Sequence, residues 1–183
     1  MFAPQAIPDV ILIELKRFED ARGYFNETYS AERYRAGGVA ATFVQDNLSL
    51  SGPAGTLRGL HFQAPPMEQA KLVTCVAGAI YDVAVDIRAG SPTFGQHVAQ
   101  ELSAANRRQL YVPAGFAHGF CTLLPDTLVT YKTSNIYDAA SDRGLAWNDP
   151  ALGIKWPLPP SGPLLSDRDR QHPKLAGLPK SFQ

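Results

Sequence analysis

Short runs of β-branched or alternating apolar and polar residues recur along most of the chain, at 10–15, 42–50, 71–76, 79–87, 97–102, 109–112 and 127–133. A period of two over runs this short predicts strands. Glycine and proline punctuate them at Gly52-Pro53, Pro65-Pro66, Gly78, Gly90-Ser91-Pro92 and Pro113-Ala114-Gly115, where the chain must turn. Ser30 followed by Ala-Glu-Arg-Tyr-Arg-Ala predicts one short helix, with Ser30 as N-cap and Gly37 as the stop. Many short strands and few helices predict an all-β fold, an antiparallel sandwich or barrel. No internal repeat or low-complexity tract interrupts the pattern.

After Trp147 the texture changes. The stretch is proline-rich, which excludes a central strand. Ile154, Trp156, Leu158, Leu164 and Leu165 are apolar enough to pin it to a surface. The expectation is a single domain over residues 1–183, with a barrel core at about 40–135 and an ordered wrap at about 147–183.

A formal net charge of zero provides no global field for nucleic acid or an acidic membrane. The start of the chain lacks the basic, apolar and small-residue pattern of a signal peptide, and no apolar run reaches membrane-spanning length. A cytoplasmic location is therefore expected. Cys75 and Cys121 sit in apolar runs and read as small buried hydrophobes.

Chemistry is sought first among the histidines. His61 and His118 are flanked by glycine and apolar residues, as expected for a buried or cleft position; His97 and His172 sit beside polar residues and are expected at the surface. Pro113-Ala-Gly-Phe-Ala-His118 resembles the second motif of the cupin superfamily, which implies a small jelly-roll barrel. Many cupins hold a metal through a first motif with two histidines and a glutamate. Here Gln63 stands two residues after His61, and Lys71 lies where the glutamate is usual. Two histidines fall short of the three or four convergent ligands that a metal needs, so no metal is expected.

A second resemblance is more specific. Phe18-Glu-Asp-Ala-Arg22-Gly-Tyr-Phe25-Asn-Glu27, Gln45-Asp-Asn47, Leu57-Arg58-Gly-Leu-His61-Phe-Gln63, Lys71-Leu-Val and Val112-Pro-Ala-Gly-Phe-Ala-His118-Gly-Phe occur in one order along the chain. So do Tyr131-Lys132, Asp142-Arg143-Gly144, Trp147-Asn-Asp149-Pro150 and Leu165-Ser-Asp-Arg168-Asp169. Together these blocks resemble the dTDP-4-dehydrorhamnose 3,5-epimerase family over nearly the whole chain. The resemblance implies a homodimer, and a strand such as residues 10–15 suits exchange between its subunits.

The implied reaction inverts carbons C3 and C5, which both flank the C4 ketone of a dTDP-sugar. It needs a base on one face, an acid on the other, and positive charge at the carbonyl oxygen. No cofactor is needed, and neither a dinucleotide glycine fingerprint nor a Walker loop is present. The resemblance nominates His61 as the base; an unperturbed histidine, with a pKa of about 6.5, accepts a proton at neutral pH. It places the carboxylate partner of His61 in the C-terminal block, which makes Asp169 the candidate; Asp167 would share its face on an extended strand. Tyr131 is nominated as the acid, and alternation puts Val129, Tyr131 and Thr133 on one face. Lys71 would polarise the C4 oxygen, and His118 would lie near the same ring. Without the resemblance, the aspartates read as a solvated charged run, Tyr131 as packing and Lys71 as a strand-end lysine.

For the nucleotide, Arg22, Arg58 and Arg168 match phosphate or nucleotide contacts, although the family usually has lysine at the last position. Glu27, Gln45 and Asn47 match thymidine-binding positions, and Phe25 and Tyr137 could sandwich the base. Asp142 stands where glutamate is usual. The rivals are an epimerase that inverts C3 alone, a related ketoisomerase, a non-catalytic sugar-nucleotide binding module and a metal-dependent cupin oxygenase.

Overall fold

The structure is a computed structural model and describes residues 1–179, 181 and 182. The chain runs through β1 (Phe2–Pro4), β2 (Ile11–Glu14), a hairpin of β3 (Arg17–Asp20) and β4 (Gly23–Asn26), and helix α1 (Ala31–Ala36). Then come β5 (Gln45–Ser51), β6 (Leu57–Gln63), β7 (Lys71–Ala77), β8 (Ala79–Asp86), β9 (His97–Ser103), β10 (Arg108–Val112), β11 (Phe116–Thr122), β12 (Thr127–Thr133) and β13 (Asp142–Gly144). One sheet has the order β1-β2-β10-β7-β12-β5, the other β13-β6-β11-β8-β9, and all pairings are antiparallel. This is the expected all-β, cupin-type jelly roll.

The interior between the sheets is filled by Val73, Ile80, Leu102, Leu110, Phe116, Phe120 and Val129. Two further clusters close it off. Helix α1 lays Tyr34 and the following Val39 over the outside of the first sheet, against Ile11, Ile13 and Leu72. On the second sheet, Leu60, Phe62, Val83 and Val85 receive Ile154, Trp156, Leu175, Leu178 and Phe182 from the C-terminal segment. The proline-rich stretch is thus an ordered wrap as far as it is described; Lys180 and Gln183 lie outside the described residues. Leu164 contributes differently from expectation. Its side chain is exposed, and its backbone does the pinning, through bonds with Gly55 and Leu57.

Two long strands, β6 and β11, are absent from the alternation pattern. Almost every residue of β11 is buried on both faces, and a strand of that kind has no period of two to detect. Both also carry internal glycines, which weaken a strand signal. Those glycines have a purpose. A Cβ on Gly59 would lie 2.6 Å from the Cα of Gly119, so the two backbones approach as only glycine permits. Beside this contact, a register shift between His118 and Phe120 leaves His118 directly opposite His61.

Residues 10–15 give β2, which pairs with β1 and β10 of the same chain. Within one chain this strand is paired on both edges. Cys75 and Cys121 are buried free thiols. No helix among the described residues is long and apolar enough to cross a membrane.

Candidate active site

A cleft of about 490 Å³ opens between the two sheets, and His61, Lys71, His118, Tyr131, Arg58, Arg168 and Asp169 all line it. The two sheets supply opposite walls. His61 and His118 come from adjacent strands of the second sheet, whereas Lys71 and Tyr131 come from β7 and β12 of the first.

His61 Nε2 lies 2.5 Å from Asp169 Oδ1, although 108 residues separate them in sequence. Backbone bonds from Leu57 to the carbonyl of Leu164 and from Ala146 to that of Pro173 hold the intervening loop against the sheet, and the Asp169 amide donates to Ser166 Oγ. Asp169 is 4% exposed. Burial opposes its ionisation most strongly, but the hydrogen bonds from His61 and Ser166 and the charges of the two neighbouring imidazoles together outweigh it and hold the carboxyl below the usual carboxylate range. Asp167 is exposed, so the structure brings one of the two candidate carboxylates to His61 and leaves the other in solvent.

A third side chain joins them. His172, expected at the surface, is half-buried as a residue and its imidazole is only 9% exposed, with Nε2 3.4 Å from the same Asp169 oxygen. The rings of His61 and His172 meet edge to face, 5.5 Å between centroids. Asp169, His61 and His172 place their ligating atoms within 4.8 Å of one another. An ion bonded at about 2 Å to two ligands holds those atoms roughly 3 Å or more apart, so the 2.5 Å contact is a hydrogen bond rather than metal spacing. His97 is half-buried.

His118 has its own carboxylate, also missed by sequence reasoning. Its Nε2 lies 2.8 Å from Asp82 Oδ1, and Asp82 is fully buried on β8. A signal existed: an aspartate inside the apolar run Ala-Ile-Tyr-Asp-Val-Ala-Val is costly to bury without a partner.

Lys71 is buried at the start of the central strand β7 and donates to the carbonyl of His61 at 3.3 Å. Burial pulls its ammonium down to about 8, against the opposing pull of Asp142 and Asp82. Tyr131 packs against the main core. Burial raises its hydroxyl above the ordinary tyrosine range, so it keeps its proton at neutral pH. Alternation was right about this strand: Thr127, Val129 and Thr133 are buried and Tyr131 lies on the same face.

The nucleotide candidates divide into two groups. Arg58 reaches Ser51 Oγ and the carbonyl of Leu50, both at 3.0 Å. Arg168 pairs with Asp142 at 2.6 Å, and Tyr137 donates to the same carboxylate at 3.1 Å. Burial opposes the charge on Asp142, but Arg168 keeps it ionised. Asp142 thus orients an arginine at the cleft. Gln45 and Asn47 bond to each other at 2.9 Å on the inner face of β5, the face that brings Ser49 to the cleft. Arg22, Phe25 and Glu27 are elsewhere. Arg22 pairs with Asp20 at the tip of the β3–β4 hairpin, Phe25 is 67% exposed beside Phe18, and Glu27 pairs with Arg33 of α1. Within one chain the structure does not bring these three to the cleft, and Phe25 does not face Tyr137.

A sequence profile for dTDP-4-dehydrorhamnose 3,5-epimerase matches residues 4–177. The dTDP-4-dehydrorhamnose 3,5-epimerase of Sinorhizobium fredii is 51% identical over 182 residues, covering 100% of this chain and 93% of that protein. The crystal structure of the Bacillus anthracis enzyme of that name, with TDP and pyrophosphate bound, superposes with a TM-score of 0.91 at 50% identity, covering 95% of this chain and 98% of the other. That of the dTDP-6-deoxy-D-glucose-3,5-epimerase of Legionella pneumophila, in complex with dTDP-4-keto-L-rhamnose, does so with a TM-score of 0.93 at 42% identity, covering 98% and 94%. By profile, identity and fold alike, the chain belongs to the dTDP-4-dehydrorhamnose 3,5-epimerase family.

Proposed function

We propose that this protein is a dTDP-4-dehydrorhamnose 3,5-epimerase, converting dTDP-4-dehydro-6-deoxy-D-glucose to dTDP-4-dehydro-L-rhamnose. The observation that carries this reading is the opposition of a carboxylate-bound histidine and a protonated tyrosine across one cleft, with a buried cation beside them. His61 takes the proton from the carbon next to the ketone, and Asp169 stabilises the imidazolium that forms. The electron pair moves onto the C4 oxygen, where Lys71 and His118 supply positive charge and a hydrogen bond. Tyr131 then protonates the same carbon from the opposite face, the ketone re-forms, and solvent resets both groups. Because C3 and C5 both flank C4, one set of groups serves both inversions.

Arg58 and Arg168 suit the pyrophosphate at the mouth of the cleft. Gln45 and Asn47 suit the thymine edge, with the ring of Tyr137 beside them. Arg22, Phe25 and Glu27 serve the nucleotide through a second copy of the chain, since none of the three lines the cleft of its own chain. A homodimer also accounts for the part of the first sheet's outer face that α1 leaves uncovered, where Leu48, Leu50 and Val76 stand 66%, 58% and 47% exposed. We read the chain as a single epimerase domain at work in the cytoplasm, a reducing compartment suited to its two free thiols.

Proton NMR of the substrate with the enzyme in D₂O tests the function. Exchange at both C3 and C5 is expected. Exchange at C3 alone would replace this reading with the single-carbon epimerase, and none at all would leave a binding module.

A further inference from the structure

His172 has no part in the mechanism above, yet the fold goes to some length to bury it. It follows the turn that carries Asp169, and the next residue, Pro173, accepts a bond from Ala146 at 2.8 Å. Its ring lies on Gly144, and a Cβ at that position would overlap the imidazole. Gly144 is in turn the β13 residue paired with His61. Two imidazoles therefore converge on one carboxylate oxygen, at 2.5 and 3.4 Å.

We propose that His172 is a positioning residue for the base, gripping Asp169 while neutral and withdrawing that carboxylate from His61 when protonated. Its Nε2 lies buried without a hydrogen-bond partner among the described residues, 3.4 Å from Asp169 Oδ1; in the neutral ring a small shift lets Nε2–H donate to that oxygen and hold the carboxylate in the orientation His61 needs. As a cation it claims the negative charge for itself, and it would face the His61 imidazolium across a 5.5 Å ring separation. Turnover creates that imidazolium, so His172 must be neutral for the base to work. Burial and the neighbouring His61 favour the neutral ring, and Asp169 opposes them. The other charged groups around it are Arg168 on its own segment and Asp142 and Arg143 on β13, which line the same small cavity.

This inference rests on the reading of His61 and Asp169 as the base dyad, and the experiment separates the two. Steady-state kinetics and pH profiles are measured for wild type, His172→Ala, His172→Gln, Asp169→Asn and the Asp169→Asn/His172→Ala double variant. His172→Ala should lose roughly tenfold in kcat with little change in KM, on the scale seen when a partner that orients a histidine is removed. His172→Gln keeps a donor and should recover most of kcat. The acid limb of kcat/KM should steepen from first to second order in protons in wild type and stay first order in His172→Gln. In the Asp169→Asn background, His172→Ala should cost nothing further, because its effect passes through that carboxylate. Wild-type kcat in His172→Ala, a first-order limb in wild type, or additive losses in the double variant would each overturn the proposal. An Asp169→Asn variant at wild-type rate would instead overturn the dyad itself.

Discussion

His61 and Tyr131 line the same cleft from opposite sheets, one on β6 and the other on β12. Inversion at carbon requires a base and an acid on opposite faces, and two walls of a sandwich provide them without any moving part.

Replacing the base should stop the reaction at its first step. His61→Ala is expected to abolish deuterium exchange at both C3 and C5, while calorimetry still detects dTDP binding. Substantial exchange at either carbon would assign the base elsewhere.

Tyr131→Phe should separate proton removal from inversion. The ring and its packing remain, so binding changes little. His61 can still remove a proton and return a solvent deuteron to the same face. Deuterium is therefore expected in substrate of unchanged configuration, with inversion reduced about 10²–10⁴-fold. Inversion at the wild-type rate would remove Tyr131 from the mechanism.

The two C-terminal aspartates should behave differently. Asp169→Asn is expected to reduce kcat by roughly 10–100-fold or more, since an amide cannot stabilise an imidazolium. Asp167→Asn, at an exposed position, should stay within about twofold of wild type, as surface changes away from special features usually do. Equal defects in steady-state kinetics would contradict the pairing.

Lys71 sets an alkaline limit. Burial holds its folded pKa at about 8, below the ordinary lysine value, so the cation is present below that pH and lost as the pH rises through it. The kcat/KM profile, which reports the free enzyme, should fall above pH about 8 for this reason. Lys71→Met removes the charge at every pH; it should lower kcat about 10²–10³-fold, the cost of one preorganised oxyanion group, and abolish that limb. An unchanged limb in the variant would assign it to another group.

Much of this was legible before any coordinates. Alternation in residues 127–133 gave the strand and the inward face of Tyr131, and the ordered motif blocks nominated the residues that line the cleft. The failures share a cause. Strand β11 is buried on both faces and β6 on most of its length, and both are broken by glycine, so neither carries a clear period of two. His172 follows Asp-Arg-Asp-Arg-Gln, a run that reads as solvated. Its burial depends on Gly144, which is 28 positions away and has no side chain to announce the contact.

By itself, the sequence determined the fold class, the family and the kinds of group available, because periodicity, punctuation and motif order are local properties of the chain. Only the tertiary structure seated Asp169 on His61, joined Asp82 to His118, drew His172 to the base and carried Arg22 and Phe25 away from the cleft. Each of those outcomes depends on which side chain meets which across two sheets and a returning tail. A hydrogen bond is decided within a few tenths of an ångström, and a linear pattern carries no information at that scale about residues 108 positions apart.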